Sequence, residues 1–114
     1  MTKVKYISAQ DFNKDILNYD GFSIIECINN SNALLKTMES VLLKLQRSVP
    51  VHINIFRIDS QQNPFIVNQF YVLQEPTYLI FFDGVLIDRM DGIVSFFDFY
   101  LRMNKHMVTL TLNA

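Results

Sequence analysis

"SIIECINNSNALLKTMESVL", residues 23–42, decides the fold of this chain, because within it a buried strand gives way to a long helix. The apolar run "FSIIECI" at 22–28 is typical of a strand that is covered on both faces in an α/β sheet. After a polar stretch, apolar side chains recur at helical spacing over 32–48, which predicts the longest helix of the chain. Loops that follow the carboxyl end of a strand often form the binding sites of α/β proteins.

The chain has one cysteine, Cys27, which lies inside the apolar run. Burial in apolar surroundings raises the pKa of a thiol and blocks its access to reactants. We therefore interpret Cys27 as a small core residue, with a reactive thiol as the alternative. A single cysteine cannot form an internal disulfide, and His52 and His106 stand far from it and from each other, so we predict no metal and no other cofactor.

Length and composition predict one compact domain over residues 1–114. Half of the 114 residues are apolar, and only 3 are Gly and 3 are Pro, which argues against disorder. The net charge is −1 and the 10 basic residues form no cluster, so we expect no nucleic-acid partner. No apolar stretch approaches the roughly 18 residues of a membrane span, and the first residues lack the apolar segment of a signal peptide. We therefore expect no membrane contact and a cytoplasmic location.

Alternating and helical patterns predict elements on both sides of the opening stretch. Before it lie a strand at 3–7 and a helix at 8–19, with Ser8 as the N-cap. After it lie a strand at 51–59 and a short helix at 64–71, with Asn63 as the N-cap and Pro64 at the first helical position.

The last third of the chain predicts a hairpin followed by a helix. Strands at 77–82 and 85–90 are joined by Asp83 and Gly84, a strong hairpin signal. A helix capped by Ser95 follows and runs to about Asn104. The whole order predicts an α/β fold with a central mixed sheet of about five strands, flanked by about four helices.

One face of the last helix carries the apolar side chains Phe97, Tyr100 and Leu101, which are predicted to pack on the sheet; a partner-binding face is the alternative. Residues 105–114 form a C-terminal extension in which Val108, Leu110 and Leu112 alternate with polar residues, which predicts an added strand. An exposed apolar strand invites pairing at a sheet edge, its own or that of a second copy. A homodimer through this strand is therefore one hypothesis, and a subunit of a larger assembly is another.

The order of elements, with Pro76 just before the fourth strand and Gly92 just before the last helix, resembles the thioredoxin fold. The resemblance covers roughly residues 12–104, within a domain core at about 3–104. In that family the loop and helix after the central strand carry the motif W-C-G-P-C-K. Residues 31–36, Ser-Asn-Ala-Leu-Leu-Lys, fall on this motif without a gap. Pro76 falls on the family's cis proline.

The resemblance implies the family's scaffold without its chemistry. Thiol–disulfide exchange needs an attacking thiol and a resolving thiol, and the residues at the two cysteine positions, Asn32 and Leu35, supply neither. The expected function is a redox-inactive module that binds a protein or an extended peptide by strand addition beside Pro76. The predicted binding residues are Asn30, Ser31, Asn32, Ala33, Leu34, Leu35, Glu75, Pro76 and Gly92.

Three points stay open at this stage. Pro76 either contributes to binding or merely turns the chain. Glu75 stands where the family usually has an apolar residue, and it favours a ligand with a basic extended segment. The alternative function is enzymatic, a divergent thiol–disulfide oxidoreductase or thiol peroxidase that uses Cys27.

Glu26 is the one charged residue of the central strand and falls on the family's buried acid. Because side chains alternate along a strand, Glu26 should face away from Cys27. A buried carboxylate must be hydrogen-bonded, ion-paired or protonated. We favour a structural role for Glu26 over a catalytic one. The position of the family's lysine partner holds Ile55 here, and Arg57 is the nearest base.

Overall fold

The computed structural model describes residues 4–112, and within them five strands form one mixed sheet. The strands are β1 (Lys5–Tyr6), β2 (Phe22–Ile28), β3 (Ile53–Asp59), β4 (Thr77–Phe82) and β5 (Val85–Asp91). The α-helices are α1 (Leu35–Ser48), α2 (Pro64–Gln69) and α3 (Phe96–Leu112). A further helical segment precedes β2. The predicted α/β class, with about five strands and about four helices, is therefore confirmed.

The strand order across the sheet is β1-β3-β2-β4-β5. Strands β1 and β2 both run parallel to β3, whereas β4 runs antiparallel to β2 and to β5. Strand β2 thus lies in the middle of the sheet and is buried along its whole length, as its apolar run predicts.

Two apolar clusters cover the two faces of the sheet. On one face, α1 and α3 pack on even-numbered residues of β2 such as Ile24. On the other face, Phe12, Ile16 and Ile66 of the outer helical segments pack on odd-numbered residues of β2, including Cys27. This alternation places Glu26 and Cys27 on opposite faces, as the sequence predicts.

The hairpin at Asp83 and Gly84 forms as predicted. Both residues have positive φ, 50° and 79°, which is the backbone that a two-residue turn of type I′ requires. A Cβ on Gly84 would lie 2.1 Å from the carbonyl oxygen of Leu17. Glycine is needed at this position because the hairpin tip closes directly on the segment before β2.

The helix predicted at 8–19 is irregular. It consists of a 3-10 turn at Ala9–Asp11 and a π-helical turn at Asn13–Leu17. The expected cap is not made, since Ser8 Oγ donates to the Asp11 carboxylate, and the Ala9 N–H is taken instead by Asn63 Oδ1 at 3.1 Å. The Asn63 side chain therefore anchors this segment and does not cap α2.

Helix α1 begins at Leu35, three residues later than predicted. Asn32 Oδ1 accepts a hydrogen bond from the Leu34 N–H at 2.8 Å, and this local turn competes with a helical start. By contrast, α3 begins with its predicted cap, because Ser95 Oγ accepts from the Asp98 N–H at 3.1 Å.

The prediction of an added C-terminal strand is wrong over the described residues. Helix α3 continues through Leu112, eight residues past Asn104, and residues 113–114 lie outside the described part of the chain. The buried side chains Met103 and Met107 keep the spacing of one helical face, so packing on the sheet extends the helix through the region of two-residue alternation. The predicted dimer strand therefore does not form up to Leu112.

The predicted packing face of α3 is wrong at two of its three positions, since only Tyr100 packs, half-buried, against the core. Phe99, Met103 and Met107 are buried on the sheet, whereas Phe97 and Leu101 are 63% and 50% exposed. A shift of two residues turns a side chain by about 200° around a helix, so choosing Phe97 in place of Phe99 selects nearly the opposite face.

No helix within residues 4–112 is both long and apolar enough to cross a membrane.

Candidate functional site

The predicted binding residues come together at one end of the sheet. The directions of the strands place the carboxyl ends of β2 and β5 beside the amino end of β4. The site end, as we call it, therefore comprises the loop at 29–35, the segment of Glu75 and Pro76, and Gly92. These three segments are far apart in sequence but adjoin at this end of the sheet, where Glu75 is exposed, Gly92 is half-exposed and Pro76 is buried.

Hydrogen bonds connect the segments of the site end. The Glu75 carboxylate accepts from the Asn29 N–H and, at 2.7 Å, from Ser60 Oγ. The Gly92 N–H donates to the Pro76 carbonyl oxygen at 2.7 Å. The peptide bond between Glu75 and Pro76 is cis.

The loop at 29–35 is shaped by two asparagine side chains. Asn29 Oδ1 accepts from the N–H and the hydroxyl of Ser31, at 2.9 and 2.8 Å. Asn32 Oδ1 in turn bonds the Leu34 N–H. Such turns hold the backbone without a ligand. Asn30, Ser31 and Ala33 are exposed, whereas Asn32, Leu34 and Leu35 are partly buried.

Two exposed apolar side chains beside the site end were not among the predicted binding residues. Leu73, two residues before Glu75, is 90% exposed, and Ile93, directly after Gly92, is 70% exposed. Arg89 holds the segment that leads to Leu73, because its guanidinium donates to the carbonyl oxygens of Phe70 and Tyr71. The sequence offered one indication of this pair: both are large apolar residues that belong to no helical or strand periodicity.

Cys27 lies beneath the site end, near the carboxyl end of β2, and its side chain is buried in the core. It is fully buried between Ile58 of β3 and Thr77 of β4. Burial raises the pKa of its thiol to about 12. Thiolate is the nucleophilic form, so the thiol of the folded protein has little reactivity near neutral pH.

We expect Cys27 to resist alkylation in the native protein and to react once the protein unfolds. Iodoacetamide labelling followed by mass spectrometry, with and without urea, measures both states. The Asn30→Cys variant is a matched control, because Asn30 is exposed and its added thiol should label at once. Fast labelling of the native wild type near neutral pH would contradict the buried-core interpretation and favour the enzymatic alternative.

A buried polar group lies on the opposite face of the sheet from Cys27. Glu26 is aligned with Arg57 on β3 and with Tyr78 on β4, so the three residues form one row across the sheet. Arg57 Nε donates to Glu26 Oε1 at 2.5 Å, and the Tyr78 hydroxyl donates to Oε2 at 2.8 Å. All three side chains are buried. Arg57, noted from sequence only as the nearest base, is thus the partner of the buried acid.

Arg57 also connects the sheet to the start of α1. Its Nη2 donates to the Leu35 carbonyl oxygen at 3.2 Å, and its Nη1 lies 3.3 Å from the Glu39 carboxylate. Leu35 is the last residue of the site-end loop. The buried guanidinium therefore positions this loop relative to β2.

Burial dominates the electrostatics of this group. It raises the pKa of Glu26 above its ordinary value, although Arg57 and the Tyr78 hydroxyl favour the carboxylate and oppose the shift. Burial also raises the pKa of Tyr78, so the phenol stays protonated and donates to Glu26. Burial alone would lower the pKa of Arg57, but Glu26 outweighs it and the net shift is upward. Arg57 therefore remains a cation throughout the physiological range.

Within residues 4–112, no group of three His, Cys, Asp or Glu side chains is arranged to hold a metal ion. No protein-family model matches the chain, and no curated protein matches it.

Proposed function

We propose that this chain is a thioredoxin-like domain without redox chemistry of its own, and that it binds an extended segment of another protein at the site end. The order of elements supports the likeness: parallel units come first, and a hairpin with a closing helix comes last. The residues at the motif's two cysteine positions, Asn32 and Leu35, bear no thiol, and the thiol of Cys27 is fully buried in the core.

The observation that carries the proposal is the joining of three distant segments into one prearranged surface. Glu75 fastens the loop at 29–35 to the segment before β4, and Pro76 accepts from Gly92. The main-chain groups of Glu75 form no hydrogen bond with any other part of residues 4–112. Free N–H and C=O groups beside an ordered strand are what an extended peptide needs in order to add to a sheet.

The same geometry changes the expected chemistry of the ligand. Both carboxylate oxygens of Glu75 accept hydrogen bonds from the protein itself, so Glu75 holds the surface together and is a poor anchor for a basic peptide. Two large apolar side chains, Leu73 before Glu75 and Ile93 after Gly92, are exposed there, beside the exposed polar side chains of Gln74 and Asp91. The ligand that fits best is an extended segment with apolar side chains, whose main chain supplies the hydrogen bonds.

Site-specific cross-linking in an extract of the native host tests this proposal. A photoreactive maleimide on the Asn30→Cys variant should capture protein adducts, because Asn30 is exposed at the site end. The matched control is Ser48→Cys, which is exposed at the far end of α1, about 20 Å along the helix. Cys27 can stay in both variants if it remains unlabelled in the native state.

A second substitution in the cross-linking variant makes the result specific. Leu73→Asp should reduce adduct formation at least about threefold, because it places a charge against an apolar ligand segment. Phe65→Asp, an exposed position on α2, should leave it unchanged. Equal adducts from the Asn30 and Ser48 positions, or adducts insensitive to Leu73→Asp, would contradict the proposal.

A further inference from the structure

Helix α3 presents an apolar stripe to solvent on the face opposite its buried side. The stripe consists of Phe97, Leu101 and Val108, which are 63%, 50% and 54% exposed. At about 100° per residue these three side chains fall within about 40° around the helix. The stripe is therefore a narrow ridge, interrupted by the half-buried Asn104 between Leu101 and Val108, of the width that packs against another helix.

Two opposite charges flank the stripe on the same side. Asp98 and Lys105 are seven residues apart, so they lie within about 20° of each other around the helix and about 10 Å apart along it. Both side chains are exposed, and neither makes an ion pair with any other residue among 4–112. Arg102, on the side of the helix nearer the sheet, is by contrast paired with Asp88 at 2.7 Å.

These positions are self-complementary under a two-fold axis. The stripe is centred midway between Phe97 and Val108, and the two charges are centred midway between Asp98 and Lys105. These two centres lie one residue apart, about 1.5 Å along the helix. Both centres lie within two residues of Leu101. A two-fold axis through this region, perpendicular to α3, sets Leu101 of each copy at the centre of the contact and brings Asp98 of each copy to Lys105 of the other.

We propose that α3 mediates an antiparallel, two-fold symmetric homodimer of this chain, with a second copy covering the stripe. An isologous contact of this kind uses the same surface on both copies. A parallel arrangement would place Asp98 opposite the other flank of the stripe, so neither ion pair would form. Antiparallel packing also sets the two helix dipoles in the favourable orientation.

Charge reversal combined with sedimentation velocity tests this geometry in the full chain. We expect a concentration-dependent dimer for the wild type. Asp98→Lys or Lys105→Asp alone should raise the dissociation constant about tenfold, since each replaces two attractive contacts by two repulsive ones. The double variant D98K/K105D should restore it to within about threefold of the wild type, because the pairs re-form with exchanged signs.

Leu101→Asp tests the apolar centre, and we expect it to raise the dissociation constant roughly a hundredfold. Phe65→Asp, on α2, introduces the same charge at another exposed apolar position and should leave the dimer unchanged. Circular dichroism establishes that each variant is folded. A wild type that is monomeric at every concentration, a dimer that persists in Leu101→Asp, or a double variant no better than the single ones would overturn the proposal.

Discussion

Arg57→Met should lower the free energy of unfolding by about 3–5 kcal/mol, because it leaves a buried carboxylate without its cation. Glu26 is fully buried, and Arg57 is its partner in the salt bridge. The substitution also removes the contact from Nη2 to the Leu35 carbonyl oxygen. Urea denaturation followed by circular dichroism measures the loss. Arg47→Met is the matched control: Arg47 is exposed on the same helix that Arg57 contacts, so its loss should cost less than about 0.5 kcal/mol.

The loss in free energy of unfolding caused by Arg57→Met should depend on pH. Arg57 opposes the upward shift of the Glu26 pKa, so its removal raises that pKa further in the folded state. When a carboxyl group has a higher pKa in the folded state than in the unfolded state, its protonation stabilises the fold. This stabilisation is fully present at a pH below the unfolded-state pKa, near 4.5, and it disappears as the pH rises through the folded-state pKa. The variant should therefore approach the wild type on acidification and fall furthest behind it near neutral pH.

A second substitution separates the lost ion pair from lost packing. Adding Glu26→Gln to Arg57→Met removes the buried charge but keeps an acceptor for the Tyr78 hydroxyl. We expect the double variant to recover at least half of the lost stability. The remaining difference in stability from the wild type should no longer depend on the ionisation of residue 26. A deficit that is the same at every pH, or a double variant as unstable as the single one, would show that the charge on Glu26 is not the cause.

Phe99→Ala should cost about 3–5 kcal/mol, whereas Phe97→Ala should cost less than about 0.5 kcal/mol, both measured at a protein concentration below the dissociation constant of the proposed α3 dimer. Phe99 is fully buried, and its ring packs edge-on against Tyr78 with 4.9 Å between the ring centroids. Phe97, two residues earlier on the same helix, is exposed. The two variants remove the same side chain and are measured by the same denaturation experiment. The reverse order of costs would mean that the opposite face of α3 is buried.

The buried group gives Glu26 a structural explanation. Its carboxylate bonds β3 through Arg57 and β4 through Tyr78, and the same guanidinium reaches Leu35 at the start of α1. Phe99 packs on Tyr78 from the other helix on this face. The row of Glu26, Arg57 and Tyr78 therefore links the middle of the sheet to α1 and α3 and holds the site-end loop in place.

Local patterns were sufficient for much of the fold. Strands β2 and β4 have the predicted bounds, because a continuous apolar run and a β-branched, aromatic run each specify a buried strand without reference to the rest of the chain. The turn at Asp83 and Gly84 was predictable for a similar reason, since few residues tolerate its backbone. The grouping of the site-end segments came from the family resemblance and not from a local pattern, and the strand directions bring those segments to one end of the sheet.

The sequence by itself determined that the chain forms an α/β sheet, where its central strand and hairpin lie, and that Cys27 lies in an apolar strand. Only the tertiary structure decided the partner of Glu26, because strand register aligns Arg57 with it across a gap of 31 residues. It also decided the buried face and the length of α3. That helix is apolar on both sides and its tail satisfies a strand pattern equally well, so the choice was made by the sheet surface that buries Phe99, Met103 and Met107.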